Sequence, residues 1–408
     1  MTGSWLLAFL LAQATPQSAP ANDWASYNRT PASDRFSPLT QITPENVSRL
    51  RQVCMYDSKE QVSFQTGPLV VNGVMYFTTD TMTYAIDAAT CALKWRQRTP
   101  LKPTYLQVNR GVAYQNGRLF RGAGEGYLLA LDAATGRTVW NVPLGQLQPG
   151  ESAPMAPLAW NGLVFIGNAG GDSHSVTGRV LAIDQRDGRI VWTFEAVPDT
   201  GKIRDTWHNA PDVPPTGGAF WTSFALDTAQ RVLYVPAGNP APDFIPELRP
   251  GSNLLTNSVI ALDVCYNVQQ APIASMKQMK PGDPWGGDVG GGFGTPDSAS
   301  KAQGWITAVD ADSGTVRWQV RTPRPLLAGI TPTAGGVVFT GELSGDVIAL
   351  NPQTGAVLWR QSTGNSIGGG VITYQVRGKQ FVAVAAGMKS AIWPTVVQSN
   401  RIVVFGLP

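Results

Sequence analysis

The sequence predicts an all-β fold, a β-propeller of four-stranded blades. Three observations predict it: one Trp-ending repeat, turn pairs that feed apolar strands, and a composition rich in turn formers. Five segments repeat Ala, a branched aliphatic, Asp or Asn, three residues, Gly or Cys, three residues, Trp. They run from Ala85-Ile86-Asp87 to Trp95, Ala130-Leu131-Asp132 to Trp140, Ala182-Ile183-Asp184 to Trp192, Ala308-Val309-Asp310 to Trp318 and Ala349-Leu350-Asn351 to Trp359. Two partial copies, Ala225-Leu226-Asp227 and Ala261-Leu262-Asp263, lack the Trp but fall in phase, and the starts are 45, 52, 43, 36, 47 and 41 residues apart. Periods in this range mark propellers, one blade per repeat.

Each part of the repeat has a physical task. The aliphatic residue sits in a strand, Asp turns the chain, Gly supplies the positive φ of a tight hairpin, and Trp returns on the next strand to fill space between blades. A single blade cannot bury both faces, so the repeats stack around an axis. Further strands follow the pairs Asn72-Gly73, Asn116-Gly117, Asn161-Gly162 and Gly335-Gly336, as hairpins require. Charged residues make up only 14% of the 408 residues, against 44 Gly, 31 Pro and 13 Trp. That balance excludes disorder and coiled coil. A net charge of +3 gives no reason to expect a nucleic-acid partner.

Residues 1–14 read as a signal peptide: an apolar run, Trp5 to Ala12, closes on the small-x-small pattern Ala12-Gln13-Ala14, although Met1 to Ser4 carry no Lys or Arg. Residues 15–24 read as a linker and 25–408 as a single domain. No later apolar run reaches membrane length, so a mature chain without a membrane span is expected in the periplasm. The three cysteines form no CxxC or CxxCH, which excludes covalent c-type haem and thiolate metal sites. Cys54 and Cys91, both placed in the first blade, can bridge in an oxidising compartment, which leaves Cys265 unpaired. Cys91 stands where the repeat has its turn Gly.

The blade repeats resemble those of pyrroloquinoline quinone (PQQ) dependent alcohol dehydrogenases, and the resemblance extends along nearly all of residues 25–408. It rests also on Ser26 to Thr30, Arg35 to Leu39, Asn109 to Ala113, Ile166 to Asp172, Trp221-Thr222-Ser223, Ala237 to Pro242, and Arg249 to Asn253 with Thr256-Asn257-Ser258. It implies an eight-bladed ring holding PQQ and calcium near its axis, oxidation of a small alcohol, and electron transfer to a soluble cytochrome c or a quinone.

Carried over residue by residue, the resemblance makes Trp221 the floor on which the planar quinone stacks and Arg110 the partner of a PQQ carboxylate. Gly170 and Gly171 line the cofactor, and Gln65 stands where many members have a Glu that contacts it. Asn239 and Asp172 are the expected calcium ligands, Asp172 replacing a family Glu with a shorter reach. Pro154 stands where a Thr is usual, and Leu327 where a Trp flanks the cofactor. The adjacent cysteine pair that often covers the quinone is missing before Asn109.

Catalysis departs further. Asp263 runs straight into Val264-Cys265-Tyr266-Asn267, which resembles a much later family segment, so about two blades, on the order of 90 residues, are missing after residue 263 and about six remain. The catalytic base goes with them, and no catalytic residue is assigned. Asp283 and Asp288 read as carboxylates of a loop before a blade.

Ordinary roles exist for every candidate. Trp221 also suits an inter-blade gap, Asn239 and Asp172 suit turns, and Arg110 suits a surface ion pair. His174 and His208 read as solvated loop residues. Gly122 to Gly126 and Gly290 to Gly294 read as loops, since a phosphate cradle needs a following helix. Two functions lead at this point, a PQQ-dependent alcohol dehydrogenase and a non-catalytic propeller that is a degenerate relative or binds a protein partner; a carbohydrate-active propeller is weaker, since no pair of acids can be placed across a pocket.

Overall fold

A computed structural model describes residues 22–102, 107–257, 266–267, 280–281, 283, 295–296, 303–390 and 392–408. The signal-peptide reading, the Ala261-Leu262-Asp263 copy, the break after 263, Cys265, Asp288 and the loop Gly290 to Gly294 lie outside the described residues.

Five four-stranded antiparallel sheets carry the described fold. The first three blades are meanders. Leu69–Val71, Val74–Thr78, Met82–Asp87 and Leu93–Arg98 make the first, and Ala113–Gln115, Arg118–Ala123, Tyr127–Asp132 and Thr138–Pro143 the second. Leu158–Trp160, Leu163–Gly167, Arg179–Asp184 and Ile190–Glu195 make the third. A later blade comprises Thr331–Pro332, Val338–Gly341, Asp346–Leu350 and Val357–Ser362. Between the third blade and this one lie shorter pieces, among them the hairpins Ala225–Asp227 with Val232–Tyr234 and Gly304–Val309 with Val316–Thr322.

The turn pairs act as expected. Asn72 and Gly73 have φ of 50° and 75°, and Asn116-Gly117 and Asn161-Gly162 match them. Two positive φ angles in a two-residue loop match the twist of the flanking strands. The second and third strands of a blade are buried on both faces, whereas outer strands such as Leu93–Arg98 alternate exposed and half-buried residues.

The fifth sheet closes the fold. Ile367–Val376, Lys379–Ala386 and Arg401–Gly406 are joined by the early strand Arg51–Asp57, with Arg51 opposite Gly406. Cys54 therefore belongs to this closing sheet and not to the first blade, a correction to the sequence reading. No local signal betrays a strand whose partner lies at the other end of the chain. Trp24, placed in the linker by the sequence, is fully buried and bridges Val70.

The repeat residues build a clasp between neighbouring blades. The Trp95 indole N–H donates to Ala133 O of the second blade at 3.0 Å, Trp140 to Gln185 O of the third at 3.1 Å, and Trp318 to Pro352 O at 2.8 Å. Each acceptor directly follows the turn Asp or Asn. The turn Gly lies beneath the same indole: a Cβ on Gly136 would stand 2.5 Å from the Trp95 ring, and Gly136 has φ of 74°. Both requirements select glycine.

At the closing junction the parts differ. Cys54 lies opposite Val404 as Trp95 lies opposite Ala85, Cys91 holds the Gly position at φ 58°, and the two form a disulfide. The Ala88 carbonyl, which follows the turn Asp87, accepts instead from the Tyr374 hydroxyl at 2.6 Å. Trp192 of the third blade makes no such clasp among the described residues. Trp192 is 40% exposed, and Arg231 holds the Gly position of the next turn at φ 58°. Tyr234 takes the Trp place opposite Ala225 and is 57% exposed.

Candidate functional site

The first strand of a blade is preceded by a segment near the axis, and backbone hydrogen bonds link these segments in turn. Gly329 N donates to Gly369 O, Gly370 N to Thr66 O, Gly67 N to Arg110 O, and Arg110 N to Pro154 O. Gln65, Arg110 and Pro154, singled out in the sequence, thus sit on or beside one continuous rim. The Gln65 side chain turns to Ser63 Oγ at 3.0 Å, and Ser63 itself bridges Val108.

Trp221 stands next to this rim with 42% of its surface exposed. The Arg110 guanidinium lies 5.0 Å above its ring centroid, and Arg110 Nη1 donates to the Trp221 carbonyl at 3.3 Å. Arg110 is half-buried, has no acidic partner among the described residues, and burial pulls its pKa below the usual arginine value. It remains a cation. A partly exposed indole stacked against a cation without an acidic partner fits a planar, carboxylate-bearing ligand, which would take the indole face from the guanidinium and offer it a carboxylate in exchange.

The tight loop after Leu163–Gly167 carries the next residues. Gly170 has φ of 105°, and a Cβ there would meet Gly150 O at 2.4 Å. A Cβ on Gly171 would lie 3.0 Å from Ala219 Cβ. This crowding delivers Asp172, whose Oδ1 accepts from the Asn239 amide at 3.3 Å. Asn239 is tied to the indole through its neighbour, since a Cβ on Gly238 would lie 3.2 Å from Trp221 Nε1. Trp221, Arg110, Asp172 and Asn239 are thereby brought into one neighbourhood.

A residue that the sequence reading missed completes this corner. The Asp243 carboxyl lies close to both Asp172 and Asn239, and its Oδ1 is buried without a hydrogen-bond partner. Burial first, then the facing Asp172 carboxylate, hold Asp243 well above the usual carboxylate range, against the opposing pull of Arg249 and Asn239. Its one sequence signal is a carboxylate four residues beyond Asn239. Two carboxylates, one buried with an orphaned oxygen, and an amide are the donor chemistry of a hard cation. Ligation would turn the Asn239 amide so that its oxygen faces the cation. Among the described residues no three His, Cys, Asp or Glu side chains gather at one point, so this set depends on the amide.

Other candidates sit elsewhere. His174 Nδ1 lies 2.7 Å from Ser175 Oγ, and its backbone N–H donates to Asp283 O. His208 Nε2 lies 3.1 Å from Asp205 O. Gly122 to Gly126 turns directly into the strand Tyr127–Asp132. Leu327 is exposed. No described helix is long and apolar enough to cross a membrane.

Residues 24–265 match the family model for the β-propeller domain of glucose, ethanol and alcohol dehydrogenases (PQQ), and residues 302–399 match that of the outer membrane protein assembly factor BamB. The dehydrogenase subunit of the quinone alcohol dehydrogenase of Gluconobacter oxydans is 35% identical over 275 residues, which cover 59% of this chain and 36% of that protein. The chain therefore spans little more than a third of that relative. The quinoprotein alcohol dehydrogenase PedH of Pseudomonas putida is 24% identical over 508 aligned positions, covering 88% of this chain and 85% of PedH. In structure, the quinohemoprotein alcohol dehydrogenase of Comamonas testosteroni superposes with a TM-score of 0.81 at 22% identity, covering 96% of this chain and 81% of that one.

Proposed function

The chain belongs to the PQQ β-propeller family of glucose, ethanol and alcohol dehydrogenases, and on that premise we propose that it is a periplasmic quinoprotein of the alcohol dehydrogenase type. It takes a small alcohol as substrate and passes electrons to a soluble cytochrome c or a quinone. The observation that carries the reading is the meeting of Arg110, Trp221, Asn239 and Asp172 at one corner of the rim. Trp221 and Arg110 hold the quinone, with Gly170 and Gly171 shaping the wall and Gln65 on the rim beside them. Asp172 and Asn239 hold calcium. When bound, the quinone supplies a two-electron acceptor that the cation polarises as a Lewis acid. The chain's own part is orientation: the indole fixes the plane of the ligand, and the guanidinium neutralises a carboxylate at one edge. The apolar run before Ala14 and the disulfide Cys54–Cys91 support an exported, oxidising location.

A second reading, a propeller that keeps the cofactor corner but has lost turnover, is favoured by two observations. The alignment with PedH runs over 508 positions, more than the 408 residues of this chain, so PedH has residues that this chain lacks. Trp192, in the last full repeat before the sequence loses its phase, also lacks among the described residues the clasp that Trp95, Trp140 and Trp318 make.

Titration with PQQ and calcium separates the readings. The expected result is a change in PQQ absorbance, quenching of Trp fluorescence, and reduction of an artificial electron-accepting dye with short alcohols. Arg110→Ala should weaken PQQ binding at least about tenfold. Binding without dye reduction selects the second reading, and absence of binding removes the cofactor from both and leaves a protein-binding scaffold.

A further inference from the structure

We infer that Asp243 is a third ligand of the cation socket, converting a one-carboxylate, one-amide pair into a set with two carboxylates suited to calcium alone, before any quinone arrives. The inference rests on the cation half of the function proposed above. Three features carry it.

Asp243 lies close to both other members of the set, and its Oδ1 is buried with no hydrogen-bond donor to satisfy it. A carboxylate oxygen in that condition is costly, and a bound cation removes the cost. The nearby cation of the protein does not serve this oxygen. Arg249 directs Nε to Pro242 O at 2.9 Å, Nη2 to the Asp243 backbone carbonyl at 2.8 Å, and Nη1 to Asn253 Oδ1 at 3.2 Å. Arg249 thus fixes the loop and leaves the carboxyl group unpaired at Oδ1.

The socket is also held before a ligand enters. Thr216 and Gly217 pair with Ala241 and Pro240, just ahead of Asp243, and the close contacts of Gly170 and Gly171 set the approach of Asp172. Three side chains from two pinned loops therefore converge without needing a cofactor as template. Oxygen donors at this spacing, with coordination positions left for water, suit calcium, which accepts six to eight ligands in flexible geometry, more than magnesium with its strict octahedron.

Calcium alone, titrated calorimetrically into metal-stripped full-length protein without PQQ, tests the inference. One site is expected, with affinity at least about tenfold weaker in Asp243→Asn and in Asp172→Asn, while melting of Asp243→Asn in chelator stays at or above that of the parent. Calcium bound by Asp243→Asn as tightly as by the parent overturns the inference, as does a parent that takes up no calcium without PQQ. Should the Asn variant fail to fold, Asp243→Glu must bind calcium more tightly than Asp243→Ser, and equal affinities overturn the inference in the same way. Parallel PQQ titrations monitored by absorbance keep the two ideas apart. Normal PQQ and calcium binding by Asp243→Asn sinks this inference alone, whereas a parent that binds neither, together or singly, sinks the function reading as well.

Discussion

The junction between the second and third blades and the face that the third blade turns toward later residues start from the same strand type and the same residue, a Trp opposite the Ala of the repeat. Trp140 finds a carbonyl 3.1 Å away and a turn glycine beneath its ring. In the next repeat the turn glycine has become Arg231, and Trp192 stays exposed. An indole clasp is therefore a property of two blades at once, written half in a Trp and half in a Gly on the next repeat. The closing junction shows a second solution, with Cys54–Cys91 and Tyr374 covering the same two tasks.

The largest effect that this comparison predicts is in the indoles themselves. Trp140→Ala should lower unfolding free energy by about 3–5 kcal/mol, measured by chemical denaturation, while Trp192→Ala should cost about 1 kcal/mol or less. Equal losses at both sites would mean that the exposed indole has a clasp after all. Next comes the covalent junction: replacing Cys54 and Cys91 by Ser should cost about 2–4 kcal/mol, and a reductant should destabilise the parent but leave the double variant unchanged. At the turn position, Gly188→Ala combines a positive φ with contact on Trp140 and should cost about 1–3 kcal/mol. Arg231→Gly, with no indole above it, should move stability by about 0.5 kcal/mol or less.

The smallest effect is electrostatic. The hydrogen bond from the Arg186 side chain, with help from its backbone, holds the carboxyl of the turn residue Asp184 down to about 2, below the ordinary 3.8. A depressed acid stabilises the fold above its unfolded pKa, and that contribution disappears as pH falls from near 4 toward 2. Asp184→Asn should flatten the stability profile in that window while leaving the profile from pH 5 to 8 parallel to that of the parent.

Much of this architecture was legible because the clasp is local in spacing: Asp, three residues, Gly, three residues, Trp can be read without knowing what lies across the junction. The Asn-Gly pairs were legible for the same reason, since their positive φ angles are a property of two residues. The bond between Cys54 and Cys91 could be anticipated, yet the sheet holding Cys54 could not, because its pairing with Val404 is decided by closure and not by any nearby pattern. Asp243 escaped notice on similar grounds. Its importance lies in burial against Asp172, from a loop 71 residues earlier, and a single acid in a Pro-rich stretch carries no mark of that contact. The rim position of Arg110 and Trp221 was reachable only through family resemblance, since neither residue stands at a periodic position.

The strand Arg51–Asp57 has one further consequence. It emerges from the ribosome long before the neighbour to which it zips, Arg401–Gly406. During synthesis it presents an open hydrogen-bonding edge, and stickiness in that interval scales with how long its partner strand takes to arrive. Assembly of this sheet is thus timed by the later strand, and a product truncated before Arg401 would leave Arg51–Asp57 unfastened.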